Sequence, residues 1–193
     1  TDISKKFQMK AEIAEIILRE SDKIFGGISG FVITSADNIM APNAGIDKSN
    51  VPSNSIIFLP NDPFLSAETL RLEFLTILGI RVGIVISDSR LMPTRIGTTG
   101  VAIGCAGIEP VEDQRGNKDL FGHVLKYTLK ATADSLATMG TFVMGESKES
   151  IPVVVIRGIN ISFTDRRLSW KDLAIDYETD IYFRSMQNFN PFL

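Results

Sequence analysis

Gly83-Ile84-Val85-Ile86-Ser87-Asp88-Ser89-Arg90-Leu91-Met92-Pro93-Thr94-Arg95 is the stretch on which the reading of this chain turns. It opens as a short apolar run rich in β-branched residues, the pattern of a buried strand. It ends in an acid flanked by two serines, then a proline-containing loop closed by Arg95. A strand end is rigid and the loop beyond it is open, so an acid at that junction is well placed for chemistry. A carboxylate beside a hydroxyl suits a hard cation such as Mg²⁺ or Mn²⁺. Arg95 suits a phosphate or a carboxylate. The competing reading is an Asp that caps the next turn. The stretch by itself leaves both open.

Outward from it, composition narrows the field. The chain has 193 residues, 44% hydrophobic and 22% charged, with a formal net charge of −3. That length is enough for one domain with a real core or for two small ones. A chain without a basic run is a poor candidate for nucleic acid. Its apolar runs fall well short of the roughly 20 residues a membrane helix needs, and no signal peptide is visible. The single cysteine, Cys105, excludes an internal disulfide and fits a reducing, cytoplasmic setting. It sits among Gly and Ala and reads as a small packed residue. The single histidine, His123, cannot build a histidine metal cluster. Any metal must therefore rest mainly on oxygen ligands.

The pattern predicts an amphipathic helix over residues 5–25, stopped by Gly26-Gly27. A short strand over 31–34, a turn at Asp37-Asn38 and a hairpin partner at 39–41 follow. Residues 42–52, with Asp47 and Asn50, read as a polar loop. A strand is expected over 55–59, then a helix over 68–78 with Ser66 as N-cap and Gly79 as stop. The strand 82–87 completes a strand–helix–strand order, which predicts an α/β fold, mixed α+β in detail, with helices packed on a sheet. Gly97, Gly100, Gly104 and Gly107 mark a strand where backbones approach closely, in preference to a phosphate cradle. Residues 113–119 form a charged turn, and 121–139 is expected to be helical. The run 151–156 is the most apolar strand candidate and is expected at the sheet centre.

Three acid-bearing loops recur where apolar elements end: Asp47 with Asn50, Asp88 with Ser89, and Glu146. If they converge, they form an all-oxygen site for divalent cations and a nucleotide's phosphates. Several motifs then occur in order: Gly45-Ile46-Asp47-Lys48-Ser49-Asn50-Val51, Leu59-Pro60-Asn61-Asp62-Pro63, Ile86-Ser87-Asp88-Ser89, Asp113-Gln114-Arg115-Gly116, Asp119-Leu120-Phe121-Gly122, Met144-Gly145-Glu146 and Ile156-Arg157-Gly158. Together they resemble the coenzyme F420-0:L-glutamate ligase family, the gamma-glutamyl ligases of deazaflavin biosynthesis.

That resemblance implies a GTP-dependent ligase acting through an acyl phosphate, with coenzyme F420-0 and L-glutamate as substrates. It implies two divalent sites for Mg²⁺ or Mn²⁺, possible use of K⁺, and an intertwined homodimer. Asp47 and Asp88 match acids on the first metal. Ser89, where the family commonly has Thr, and Glu146 match the second. Asn50 matches a nucleotide contact, and the segment Met144, Gly145, Glu146, Ser147, Lys148, Glu149, Ser150 and Ile151 matches the nucleotide loop. Asp88 and Arg95 are the expected catalytic residues, Arg95 toward a phosphate or the substrate carboxylate. The resemblance covers residues 16–183, and one ligase domain is expected over 1–193, lacking the family's N-terminal segment; Ile3-Ser4-Lys5-Lys6 only echoes a Ser-Lys motif found there. The family's Gly-Arg-Pro after its Asp-Thr is also replaced, by Arg90-Leu91-Met92-Pro93. Two alternatives stay open. One is a non-catalytic paralogue that binds nucleotide or deazaflavin. The other is a phosphatase-like enzyme with Asp88 as nucleophile, although Arg90 stands where such chemistry wants a second acid.

Overall fold

The computed structural model describes residues 2–36 and 39–186. The turn expected at Asp37-Asn38 lies outside the described residues. The chain divides into two compact units: residues 1–59 with 174–193, and residues 60–173. Its class is the expected mixture of helices and sheet. All strand pairings among the described residues are antiparallel. No described helix is long and apolar enough to cross a membrane.

The first unit begins with α1 (Asp2–Lys6) and α2 (Ala11–Arg19), followed by β1 (Lys23–Ile28), β2 (Phe31–Ala36) and β3 (Ile39–Pro42) in one three-stranded sheet. The single helix expected over 5–25 is therefore two helices and a strand. Gln8 takes a left-handed backbone (φ 50°), which ends the first helix, and the Ser4 hydroxyl bonds the Met9 carbonyl across the break. Gly26-Gly27 does not stop a helix. It sits inside β1, where the ladder slips between Ile24 and Gly26. A Cβ at Gly27 would overlap the Phe31 backbone, so only glycine fits that close approach. The apolar faces meet in a core of Phe7, Ile17 and Val32, with Ile13, Ile24 and Ile46 against it.

The second unit is built on the opening stretch. Ile84–Leu91 forms β4, longer than the 82–87 expected, and pairs with β5 (Thr98–Ala106). Helix α3 (Pro63–Leu78) packs on this hairpin. Its N-cap is Asp62, whose side chain accepts the Leu65 amide at 2.8 Å, with Pro63 in the first turn. Ser66, the expected cap, bonds the Asp62 carbonyl from within the helix. Gly79 stops the helix in the left-handed conformation, as expected.

The tight-packing reading of the glycine-rich strand holds. A Cβ at Gly104 would lie 2.5 Å from the Pro63 carbonyl carbon, and one at Gly100 would overlap the Ala137 backbone. The core of this unit comprises Phe64, Cys105, Ala133 and Leu168, with Val85, Ala102 and Trp170 packed around them. Burial pushes the Cys105 thiol up to about 12, which fits a packing residue and not a nucleophile.

Three expectations fail here. Residues 121–131 are not helical. Instead β6 (Val111–Asp113) and β7 (Leu129–Ala131) form the base of a hairpin arm. At its tip the Asp119 carboxylate accepts the Phe121 and His123 amides, and Gly122 turns with φ 85°. The helix α4 starts only at Thr132 and runs to Met144. The run 151–156 belongs to no sheet among the described residues, and Val153 and Val155 are about 70% exposed, at 70% and 71%. Residues 55–59 keep one isolated bridge, Asp47 with Ile57.

A charged clamp closes the second unit. Arg166 grips Glu109 (2.8 Å) and Asp172 (2.6 Å). The Arg166 guanidinium holds the Glu109 carboxyl below its ordinary 4.5, against burial. Arg71 does the same for Glu68. A carboxyl depressed in the folded state binds its proton more weakly there than when unfolded. Its stabilisation is therefore present above pH 4.5 and is lost as pH falls through the lower folded value. The expected result is a thermal midpoint that is insensitive to these groups near pH 7 and falls below about pH 4.5. Arg166→Met flattens that fall. Because Arg166 is half exposed, the contribution is about 1 kcal/mol at most. An unchanged acid limb in the variant would contradict this assignment.

Candidate functional site

The site is clearest in the second unit, around β4. Side chains alternate across a strand, so Asp88 and Ser89 leave opposite faces. Ser89 stands opposite Gly100 on β5. Cross-strand partners share a face, and the Gly100 face is the one covered by Ala137 and Thr141 of α4. Helix α4 is stapled there by polar bonds. The Thr138 hydroxyl donates to the Gly100 carbonyl at 2.8 Å, and Asp134 accepts the Ala102 amide at 2.9 Å. With α4 fixed, the segment beyond its C-terminus is delivered to Ser89. The Ser89 hydroxyl donates to Glu146 Oε1 at 2.7 Å, across 57 positions of sequence.

The two oxygens of this pair could hold a hard cation between them. A six-coordinate Mg²⁺ at about 2.1 Å from each ligand places adjacent oxygens about 3 Å apart. The Ser89–Glu146 oxygen separation is close to that spacing. Glu146 also follows the C-terminus of α4, where the helix dipole favours positive charge. Among the described residues no group of three or more His, Cys, Asp or Glu is assembled, so hydroxyl, carboxylate and water oxygens must make up any coordination shell.

On the other face of β4, Asp88 Oδ2 accepts from Arg90 Nε, two residues on. Arg90 is buried, with 6% of its surface exposed. In the sequence Arg90 reads as an interruption of the family pattern, standing where an aspartyl nucleophile would want a second acid. The missed signal is its spacing, since residues i and i+2 of a strand share a face.

Glu146 belongs to the compact loop 144–151. Gly145 turns with φ 79°, and its amide donates to the Thr141 carbonyl at 3.0 Å. Glu149 folds back so that its carboxylate accepts the Ser147 amide at 2.8 Å and lies against Gly145. Ser150 has φ 55°, and its hydroxyl reaches the Lys148 carbonyl at 3.5 Å. Met144 ends α4, and Ile151 is exposed. Arg95 follows a turn closed by its own amide on the Met92 carbonyl (3.2 Å), with its side chain in solvent.

Asp47 and Asn50 lie in the first unit. Asp47 Oδ1 accepts the Lys48 and Ser49 amides at 2.6 and 2.8 Å, and Oδ2 accepts the Ser49 hydroxyl. Burial raises the Asp47 carboxyl, but these hydrogen bonds outweigh it and keep it below the ordinary carboxylate range. It is thus a fixed anion at neutral pH. Asn50 sits three residues on with a left-handed backbone (φ 52°).

A mixed α/β chain with a serine–glutamate oxygen pair at a helix C-terminus is the class these features define. Comparison with known proteins gives the particular family. The profile described as F420-0:Gamma-glutamyl ligase matches residues 1–158. The Coenzyme F420:L-glutamate ligase of Methanocaldococcus jannaschii is 41% identical over 182 residues, which is 94% of this chain and 72% of that protein. The ligase of the same name from Methanococcus maripaludis is 39% identical over the same shares. That of Archaeoglobus fulgidus is 36% identical over 161 residues, 83% of this chain and 65% of that protein. The chain belongs to the F420-0:gamma-glutamyl ligase family, a family of ligases.

Proposed function

We propose that this protein ligates L-glutamate to coenzyme F420-0 in deazaflavin cofactor biosynthesis, using GTP, and that it works in the cytoplasm. The observation that carries the reading is the Ser89–Glu146 contact, which joins two residues assigned to one cation from distant parts of the sequence. Family membership supports the glutamate ligation itself.

The chemistry follows from the electrophile. A carboxylate resists attack by an amine because its negative charge repels nucleophiles and it lacks a leaving group. Transfer of the GTP γ-phosphoryl group to a carboxylate oxygen of the substrate gives an acyl phosphate and GDP. The glutamate amine then attacks the acyl carbon, the C–O bond to phosphate breaks, and inorganic phosphate leaves. The amine's surplus proton passes to solvent or a base. Bound Mg²⁺ or Mn²⁺, with K⁺ as a further candidate, offsets the negative charge gathered at the phosphates. Asp47, Asp88, Ser89 and Glu146 are the oxygens that would hold divalent cations. Asn50 and the loop 144–151 receive the nucleotide, and Arg95 steadies a phosphate or the substrate carboxylate.

A homodimer is part of this proposal. In the second unit the apolar side chains of Phe121, Phe142, Ile77, Val153 and Val155 are mostly exposed. A β-branched run outside any described sheet, and exposed aromatics, gain burial when a second copy covers them. Sedimentation equilibrium should give the mass of two chains.

Calorimetric titration of GTP into the purified protein tests the site. Saturable binding is expected with Mn²⁺ and none with EDTA. In Glu146→Ala, metal-dependent affinity should fall at least tenfold, with the fold intact, because one charge-assisted ligand is lost. Binding that ignores EDTA would contradict the assignment. Metal-dependent binding without any glutamate transfer would favour the non-catalytic alternative.

A further inference from the structure

Arg90 has no part in the proposed chemistry, yet it is the most deeply placed charge on β4. Its side chain is 8% exposed, and its guanidinium is aimed at Asp88, whose side chain is 30% exposed. Both leave the same strand face. The exposed pair of Arg115 with Asp113 has a similar i, i+2 spacing, but there the side chains stand about half in water, at 54% and 51%. A buried guanidinium cannot be screened by solvent in that way, so its charge acts on Asp88 continuously.

We propose that Arg90 is a positioning residue and resident counter-ion that makes the Asp88 site prefer a cation–nucleotide complex over the bare cation. The inference rests on the assignment of Asp88 as a cation ligand. With Oδ2 held by Arg90, the carboxylate keeps one rotamer and offers Oδ1. A bare divalent cation arriving there meets a fixed positive charge and a carboxylate already neutralised. A cation that arrives with a polyphosphate brings compensating negative charge, and the guanidinium then attracts the complex. Arg90 thereby couples the two ligands through charge, and discriminates against idle occupation by cation alone.

The test measures Mn²⁺ binding from the free-ion paramagnetic resonance signal, with and without GTP, in the wild type and in Arg90→Met, Arg90→Lys and Asp88→Asn. Arg90→Met should bind bare Mn²⁺ at least about tenfold tighter, the lower bound for one unit charge removed from beside a divalent cation. The enhancement of Mn²⁺ affinity by GTP should shrink correspondingly. Arg90→Lys, which keeps the charge, should stay within about twofold of wild type. A merely structural arginine would leave bare-cation affinity unchanged or weaker in Arg90→Met, and that result overturns the proposal. A second measurement needs no variant. The Arg90 Nε–H resonance of the wild type should move as Mg²⁺ saturates the protein, and a resonance that stays fixed at saturation also overturns it. If Asp88→Asn binds Mn²⁺ as the wild type does, the ligand assignment itself falls, and the proposal with it. Loss of binding in Asp88→Asn with no gain in Arg90→Met removes the Arg90 proposal alone.

Discussion

Gly100→Val is expected to destabilise the protein by about 3 kcal/mol and to reduce glutamate ligation at least a hundredfold even in the fraction that remains folded. The stability loss follows from overpacking, because no rotamer change can clear a backbone. A Cβ at position 100 would lie 2.7 Å from the Ala137 carbonyl carbon, with the Ala137 oxygen and Thr141 hydroxyl nearer still. Helix α4 must therefore move away from β5, breaking the Thr138–Gly100 bond. The activity loss follows from the same motion. Glu146 rides on the end of α4, and its contact with Ser89 survives only while the helix lies flat on the hairpin. A displacement of about 1 Å at a positioned group costs rate steeply. Denaturant unfolding and initial rates measured on one preparation check both halves. Wild-type stability in Gly100→Val would show that α4 does not press on this strand.

The second large effect concerns Asp88→Asn. The substitution keeps shape and removes charge, so a near-neutral effect on stability would be the ordinary expectation. Here it takes away the carboxylate that faces the buried Arg90 guanidinium, and removing one partner of a buried pair costs about 3 kcal/mol. The variant should lose ligation and also melt earlier. Adding Arg90→Met to Asp88→Asn should recover most of the stability and none of the ligation. The non-additivity of this cycle measures the pair directly. If Asp88→Asn melts with the wild type, Arg90 is not held by Asp88.

The contrast between these positions shows what the sequence made legible. The β-branched run ending in Asp88-Ser89 announced a strand, because strand propensity is a local signal. Gly79 announced the end of α3 for the same reason. The glycine spacing on β5 correctly indicated close packing, although the identity of the covering helix is a tertiary fact.

Residues 121–131 misled because Leu125 and Leu129 mimic a helical stripe. The Asp119 turn and the backbone bonds of Leu125 with Gly116 and Asn117 pull them into a hairpin instead. The run 151–156 misled differently. Its β-branched composition signals burial, and what would bury it need not be in the same chain. The Asp88–Arg90 pair was legible in principle from an acid and a base two apart on a strand. The Ser89–Glu146 contact was not, since 57 residues separate the two and only the packing of α4 joins them.

In the proposed reaction this chain activates a substrate carboxylate as an acyl phosphate before the glutamate amine attacks it. Oxygen-18 transfer tests it most directly. Coenzyme F420-0 labelled in its terminal carboxylate should be incubated with the protein, GTP, Mn²⁺ and L-glutamate, and the inorganic phosphate released should be analysed by mass. One labelled oxygen per phosphate, appearing in step with a product heavier by one glutamate residue, is the predicted result. Glutamate-dependent product with unlabelled phosphate would contradict the account, because phosphate would then never have been bonded to the carboxylate.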